Sequence, residues 1–259
     1  MAGNTSATGA ATRLRALPEL ALVVALFAAY KLARVLIEGD VQAAFVNAWR
    51  IWDLERALRL PREVSVQQAL LTHDSLLHLV NSYYAYVHFP ATGALLGWVY
   101  LRRPEYYRWV RRTLAALTGT ALVIHVLLPL APPRMLAATG MVDTGRLVGP
   151  AVYGDPTTDT LSNQYAAMPS LHVGWALVVA VVLITVTRGR WRWAWALHPA
   201  LTVVVVVVTG NHYWLDGLLA AALLGVVLFC CPQPDRQPYD PLGGPARPVD
   251  PVVSEEQPA

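Results

Sequence analysis

The chain has 259 residues, of which 55% are hydrophobic and only 14% are charged, and its mean hydropathy is +0.40. Soluble globular proteins carry about 25% charged residues, so this composition argues against a soluble domain and predicts an integral membrane protein. The formal net charge is only +3, and no nucleic-acid-binding signature is present. The two cysteines, Cys230 and Cys231, are adjacent, so they cannot link distant parts of a fold.

Six apolar segments approach the roughly 20 residues that a helix needs to span a bilayer. In chain order they are Pro18–Ile37, Leu76–Leu101, Trp109–Leu130, Leu171–Thr187, Trp193–Gly210 and Tyr213–Cys231. They predict an all-α fold, a polytopic membrane helical bundle with about six transmembrane helices within residues 18–231. Residues 1–17 and 232–259 are predicted to be a flexible N-terminus and a disordered, proline-rich tail. Glu38 and Asp40 follow the first span where a signal-peptide cleavage site would have small uncharged residues, so that span is predicted to be retained.

Two connections between the predicted spans have sequence patterns of their own, one that predicts a helix and one that predicts a functional loop. Residues 41–60 have apolar positions at helical spacing beside charged ones, which predicts an amphipathic helix with Trp49 and Trp52 at headgroup depth. A helix packed as a lid over the bundle would give the same pattern. The connection at 131–169 is long, polar and rich in proline, glycine and aspartate, and loops of that length are more often functional than bare connectors.

Arginines are concentrated in three places around the predicted spans. They are Arg13 and Arg15 before the first span, Arg102, Arg103, Arg108, Arg111 and Arg112 between the second and third, and Arg188, Arg190 and Arg192 between the fourth and fifth. The positive-inside rule places all three groups in the cytoplasm, and six spans make those placements mutually consistent. We therefore predict a plasma-membrane protein with both termini in the cytoplasm and the loop at 131–169 on the extracytoplasmic face.

Two histidine motifs begin apolar segments and fall on that same extracytoplasmic face. In the second, Asp216 follows His212 by four residues, a spacing that places both on one side of a helix and lets the carboxylate accept a hydrogen bond from the imidazole. The other ring nitrogen is then free to act as a nucleophile or a base. The first motif, Pro169–His172, supplies a second imidazole. Ionisable groups at membrane depth are costly, so together they predict a functional site.

These motifs resemble those of the type 2 phosphatidic acid phosphatase superfamily over about residues 40–228. Pro169–His172 matches the superfamily's Pro-Ser-Gly-His motif with leucine in place of glycine, and His212 with Asp216 matches its third motif. The leucine, the His212–Tyr213 pair and the string Pro129–Arg134 are most similar to the branch that contains inositol phosphorylceramide synthase. The resemblance implies a six-helix membrane fold.

The resemblance also implies a role for each matching residue. His212 would be the nucleophile that forms a phosphohistidine, Asp216 would orient it, and His172 would be the general acid and then the general base. Ser170, with the backbone amides of its helix start, would hold phosphate oxygens. Arg134 is the one cation in the first motif, so Arg146 on the same loop is a further candidate for neutralising the phosphate.

Polar residues also line one face of the second predicted span. His78, Asn81, Tyr84 and His88 follow helical spacing, and His125 lies in the third span. We expect these side chains to face the bundle interior, where they either hydrogen-bond between helices or contact substrate.

Three function classes remain open on the sequence alone. The first is a phosphotransferase that moves a phosphorylated headgroup from a phospholipid or other lipid phosphate to a lipid or alcohol acceptor. The second is a lipid phosphate phosphatase in which water is the acceptor. The third is a non-catalytic transporter or assembly factor on the same fold. No cofactor and no metal site are expected, because the histidines and acids do not form a compact ligand set and phosphohistidine chemistry needs no metal. The oligomeric state is left open.

Overall fold

The computed structural model describes residues 21–22, 24–32, 35, 41–154 and 163–234. The predicted flexible N-terminus and nearly all of the predicted tail lie outside these ranges. The described residues between 21 and 35 are helical, as the first predicted span requires. Within the described residues the fold is all-α, and β-structure is limited to a single bridge between Leu130 and Ala166.

The α-helices that follow are numbered in chain order. They are α1 (Val41–Ala57), α2 (Glu63–Gln68), α3 (Asp74–Tyr86), α4 (His88–Arg102), α5 (Pro104–Leu127), α6 (Thr144–Val148), α7 (Leu171–Val186), α8 (Leu197–Val208) and α9 (Trp214–Cys230). Short 3₁₀ segments occupy Pro133–Met135, Ala137–Thr139 and Arg190–Ala196. Among the described residues, two helical stretches, Pro104–Leu127 and Arg190–Val208, are long and apolar enough to cross a membrane, and α7 and α9 are shorter apolar helices. The count of six spans stays a prediction.

The second predicted span, Leu76–Leu101, is two helices rather than one. Helix α3 ends at Tyr86 and α4 begins at His88, with Val87 between them. Pro90 explains the break, because it has no N–H to donate to the carbonyl of Tyr86 and its ring collides with that carbonyl in a continuous helix. The polar face of α3 is therefore separated from the apolar body of α4.

Helix α7 lies at the centre of the bundle and packs against α4, α5, α8 and α9. Its apolar side chains join a core that includes Leu117, Val178, Val182 and Leu224. At Gly174, an added Cβ would lie 3.2 Å from the Leu117 side chain, so the missing side chain allows α5 to pack closely. This core fixes the position of the α7 N-terminus.

The two motif-bearing helix starts meet at one end of this bundle. The N–H of Ser170, before α7, donates to the carbonyl of Asp216 in α9 at 3.1 Å. Helix α1 forms within the predicted range 41–60 and packs its small residues Ala44 and Ala48 against the start of the long loop and Tyr213. Its placement at the membrane interface or as a lid over the bundle stays a prediction.

Candidate active site

His212 and Asp216 form the pair that the sequence predicted. The turn between α8 and α9 places His212 Nδ1 3.1 Å from Asp216 Oδ2 and 2.8 Å from the carbonyl oxygen of Ala167. Asp216 Oδ2 also accepts from the N–H of Tyr213 at 2.9 Å. The side chains of both members of the pair are buried, which excludes water from the contact.

The hydrogen bonds of His212 define its tautomer. Both partners of Nδ1 are oxygens that only accept, so Nδ1 carries the ring proton and Nε2 keeps its lone pair. Burial, helped by the charge of Arg134, lowers the pKa of His212 below its ordinary value, although the Ala167 carbonyl opposes that shift. A neutral imidazole with a free Nε2 is the form that can attack phosphorus.

His172 lies in the first turn of α7, facing His212. The centroids of the two imidazole rings are 6.0 Å apart, close enough for both to contact one bound group. On its other side, His172 stacks on Tyr84 with 4.3 Å between ring centroids, and the ring of His88 lies 4.5 Å away. His88 in turn stacks on Trp175. The aromatic stack therefore fixes the plane of His172 and covers one face of its ring.

Arg134 brings a cation to the same place. Its side chain is only 3% exposed, and its Nε lies 3.3 Å from Asp143 Oδ2. Nη1 donates to the side-chain oxygen of Asn211, and the guanidinium lies 4.5 Å from the centre of the Tyr153 ring. Nη2 is buried without a hydrogen-bond partner among the described residues. A buried guanidinium with an unused donor is suited to bind an anion such as phosphate.

Gly210 lets the loop containing Arg134 approach the histidine turn. Its φ of +69° lies in the left-handed region that favours glycine. An added Cβ would lie 3.1 Å from the Cβ of Arg134 and 3.2 Å from the carbonyl oxygen of Val142. The Arg134 N–H donates to the Gly210 carbonyl at 3.0 Å. A larger residue here would separate the cation from the imidazoles.

Ser170 and Arg146, the other two predicted phosphate ligands, occupy different environments. Ser170 is the buried N-cap of α7, and its hydroxyl oxygen accepts from the N–H of Val173 at 3.3 Å. Arg146, with its side chain 46% exposed, donates to the Gly154 carbonyl at 2.8 Å and lies 3.6 Å from Asp143. The structure brings Ser170 to the histidine pair but leaves Arg146 on the outer surface of α6.

Most of the polar face of α3 holds the long loop in place. Asn81 donates to the carbonyls of Thr144 and Gly149 and accepts from the Thr144 hydroxyl at 2.7 Å. His78 Nδ1 donates a hydrogen bond to the carbonyl oxygen of Val148 at 3.1 Å. These contacts tie α3 to the loop around α6.

Tyr84, His88 and His125 lie closer to the imidazoles. The hydroxyl of Tyr84 contacts that of Tyr153 at 2.8 Å, so Tyr84 joins the loop to His172. His125 Nε2 donates to the carbonyl of Pro169 at 3.0 Å, which secures the first motif. Tyr84 and His88 therefore contact His172 directly. His125 instead holds the backbone of the first motif in place.

Sequence reasoning did not assign roles to Asp143, Tyr153 and Asn211. All three contact Arg134, and Asp143 and Tyr153 lie outside both histidine motifs. Asn211 carried the one available signal, since it directly precedes His212. The other two are ordinary polar loop residues until the fold brings them to the arginine.

Comparison with known protein families gives a match that covers this site. The PAP2 superfamily matches residues 49–230, which include every predicted site residue. No curated protein and no solved structure matched the chain. The superfamily generally comprises phosphatases and phosphotransferases, so phosphoryl chemistry is the activity that the match indicates. The chain belongs to the PAP2 superfamily.

Proposed function

We propose that the protein is an integral membrane phosphotransferase that moves a phosphorylated headgroup between lipids through a phosphohistidine intermediate on His212. The observation that carries the proposal is the His212 hydrogen-bonding pattern, which leaves the Nε2 lone pair available on a ring whose centroid lies 6.0 Å from that of His172. A nucleophile, an acid and a cation are the groups that such a transfer requires.

The reaction has two steps that mirror each other. In the first, His212 Nε2 bonds to phosphorus, the bond from phosphorus to the leaving oxygen breaks, and His172 gives its proton to that oxygen. In the second, an acceptor hydroxyl gives its proton to His172 while its oxygen bonds to phosphorus and the bond to His212 breaks. Arg134 stabilises the charge that spreads over the phosphoryl oxygens in both transition states. Asp216 keeps the Nδ1 proton in place and stabilises the charged imidazole.

An apolar groove beside the histidines supports a lipid as the substrate. The groove has a volume of about 520 Å³ and lies between α7, α8 and α9. Its lining includes Val173 and Gly217, which directly follow His172 and Asp216, and continues through Leu177, Val203 and Ala221. We propose that a hydrocarbon chain of the substrate lies in this groove. Transfer to an alcohol rather than to water also fits the buried valines at the end of α8.

The finer substrate assignment rests on the motif resemblance. Leu171 and the Pro129–Arg134 string favour an inositol phosphate headgroup moved to a ceramide-like alcohol. A lipid phosphate phosphatase with the same histidines is the competing activity.

Purified protein in defined vesicles distinguishes these activities. The donor is phosphatidylinositol labelled at phosphorus, with and without ceramide, and a parallel reaction contains labelled phosphatidate. The transferase predicts label in a new ceramide-linked lipid with release of diacylglycerol, and loss of both in the His212→Ala variant. Release of inorganic phosphate from phosphatidate, with no lipid product from phosphatidylinositol, would instead establish the phosphatase.

We further propose that the site faces the extracytoplasmic side of the plasma membrane, because the arginine clusters mark the opposite loops. In a background with Cys230 and Cys231 changed to serine, single cysteines at Leu147 and Arg190 test this orientation. An impermeant thiol reagent applied to intact cells should label the first and not the second. The reverse pattern would invert the topology.

A further inference from the structure

A pair of buried carboxyl groups lies behind the helix start that carries Asp216. Glu55, near the end of α1, is 0% exposed, and Glu63, at the start of α2, is 3% exposed. Burying a carboxyl group is costly unless hydrogen bonds or a proton compensate it. Neither group has a part in the two steps described above, so their burial needs a separate explanation.

Glu55 holds a backbone amide in the first turn of α9. Its Oε1 accepts a hydrogen bond from the N–H of Leu215 at 2.9 Å. The first N–H groups of a helix have no acceptor within the helix, so Glu55 supplies one from α1. Leu215 directly precedes Asp216, whose Oδ2 accepts from Tyr213 and from His212. A shift of this turn therefore moves the carboxylate that orients the imidazole.

The surroundings of the two carboxyl groups favour a proton on Glu55. Arg56 Nη2 lies 3.1 Å from Glu63 Oε2 and 3.8 Å from Glu55 Oε2. Glu55 Oε2 and Glu63 Oε1 are both buried without a hydrogen-bond partner among the described residues, and a proton on one carboxyl group would let it donate to the other. Burial, followed by the neighbouring carboxyl group of Glu63, raises the pKa of Glu55 well above its usual range. Asp216 and Tyr213 are the other titratable groups that face Glu55.

We propose that Glu55 is a positioning residue, which as a neutral carboxylic acid fixes the first turn of α9 and through it the Asp216–His212 pair. The inference rests on the proposed function, because the imidazole that Glu55 positions is the proposed nucleophile. Glu55 acts through Leu215 and Asp216 and does not contact the substrate.

Two substitutions of Glu55 test whether its neutral side chain positions the first turn of α9. Glu55→Gln keeps an oxygen that accepts from Leu215 and an N–H that donates to Glu63, so we expect kcat within about twofold of the wild type. Glu55→Ala removes the acceptor, and we expect kcat to fall about 10- to 100-fold with KM unchanged, because a misplacement of about 1 Å costs up to about 100-fold. Asp53→Ala, at an exposed position on the same helix, is the matched control and should change neither constant.

The dependence of activity on pH gives a second test, because a purely structural role of Glu55 would leave that dependence unchanged. The neutral form of Glu55 is present below its raised pKa, so wild-type activity should decline as pH rises through that value. Glu55→Gln cannot ionise and should keep its activity further into the alkaline range.

Three results would overturn the inference: loss of kcat in Glu55→Gln as large as in Glu55→Ala, full kcat per folded molecule in Glu55→Ala, or an alkaline decline unchanged in Glu55→Gln. Thermal melting of each variant measures the folded fraction. Failure of the proposed function itself is distinguishable, because the wild-type protein would then form no transfer product.

Discussion

The candidate site has two sides that are built in different ways. The imidazole side (His172, His212 and Asp216) lies at the starts of two helices, α7 and α9. Its residues belong to two motifs, each of which spans only a few positions of the sequence. The loop side (Arg134, Asp143 and Tyr153) is assembled across the long loop, with Arg134 held between an acid and an aromatic ring. On the imidazole side, hydrogen bonds and helix packing hold the side chains in place. On the loop side, the carboxylate of Asp143 already occupies the position beside Arg134 where an anion would bind. We propose from this difference that the imidazole side supplies the nucleophile and the acid, whereas the loop side supplies the cation for the phosphoryl oxygens.

The largest expected effect of an isosteric change is at Asp216. Asp216→Asn keeps the side-chain size but removes the charge that stabilises a positive imidazole, and its amide can favour the wrong tautomer. In serine proteases the analogous change costs about 10⁴-fold in kcat, and we expect a loss of that order with little change in KM. Asp74→Asn makes the same change in the first turn of α3, where the side chain is exposed, and serves as the control. A raised KM with kcat preserved would instead assign Asp216 to substrate binding.

His172→Ala should lower turnover by about 10²- to 10⁴-fold, the usual contribution of general acid catalysis. Phosphoenzyme formation should survive with p-nitrophenyl phosphate, whose leaving group needs no proton, so the defect depends on the donor. The rate of the first turnover, followed by release of the leaving group from lipid or from p-nitrophenyl phosphate, measures that dependence apart from the second step, and the exposed His73→Ala is the control. Equal losses with both donors would argue against the acid role.

On the loop side, Arg134→Gln should lower kcat by about 10²- to 10³-fold, the scale for removing one preorganised donor to a charged transition state. Arg146→Gln tests the second predicted cation of the same loop. Because Arg146 is half exposed and turned to Gly154 and Asp143, we expect a much smaller effect. Comparable losses in the two variants would show that both arginines reach the phosphate and that the loop changes position on binding.

Asp143→Asn should have the smallest effect, and unlike the other substitutions it should strengthen the binding of an anion. The Asp143 carboxylate pairs with Arg134 and competes with an incoming phosphate, whereas asparagine keeps the helix N-cap without the charge. A partly exposed ion pair is worth up to about 1 kcal/mol, so inhibition by orthovanadate should strengthen by about two- to fivefold. The exposed Asp53→Asn should leave the inhibition constant unchanged. Weaker inhibition in Asp143→Asn would mean that the carboxylate helps to hold the anion site together.

The two sides also differ in how far the sequence predicted them. The spacing of four residues predicted contact between His212 and Asp216, and the contact forms although His212 lies in the turn before α9 rather than on the helix. The apolar run that follows each motif predicted α7 and α9 closely. The break between α3 and α4 was missed because hydropathy averages over Pro90, although its missing N–H was available as a signal.

The contacts of the loop side and of Glu55 depend on distant parts of the chain. Asp143 and Tyr153 reach Arg134 only after Asn81 and its neighbours fix the loop against α3, and Glu55 reaches Leu215 across 160 positions. A polar residue in a loop, or an acid in an amphipathic helix, has the same local pattern whether it is solvated or buried. The fold, not the local pattern, therefore assigned these roles.

The most direct test of the account is to trap the phosphoenzyme. The purified protein is mixed with a lipid donor labelled at phosphorus, quenched in alkali during turnover, digested and analysed by tandem mass spectrometry. A phosphoramidate on histidine is stable to base and labile to acid, and we expect it on His212 in the wild type. The label should be absent from His212→Ala and should be lost from the wild type when acceptor alcohol is added before the quench. Turnover without a labelled enzyme, or label that persists in His212→Ala, would contradict the phosphohistidine mechanism.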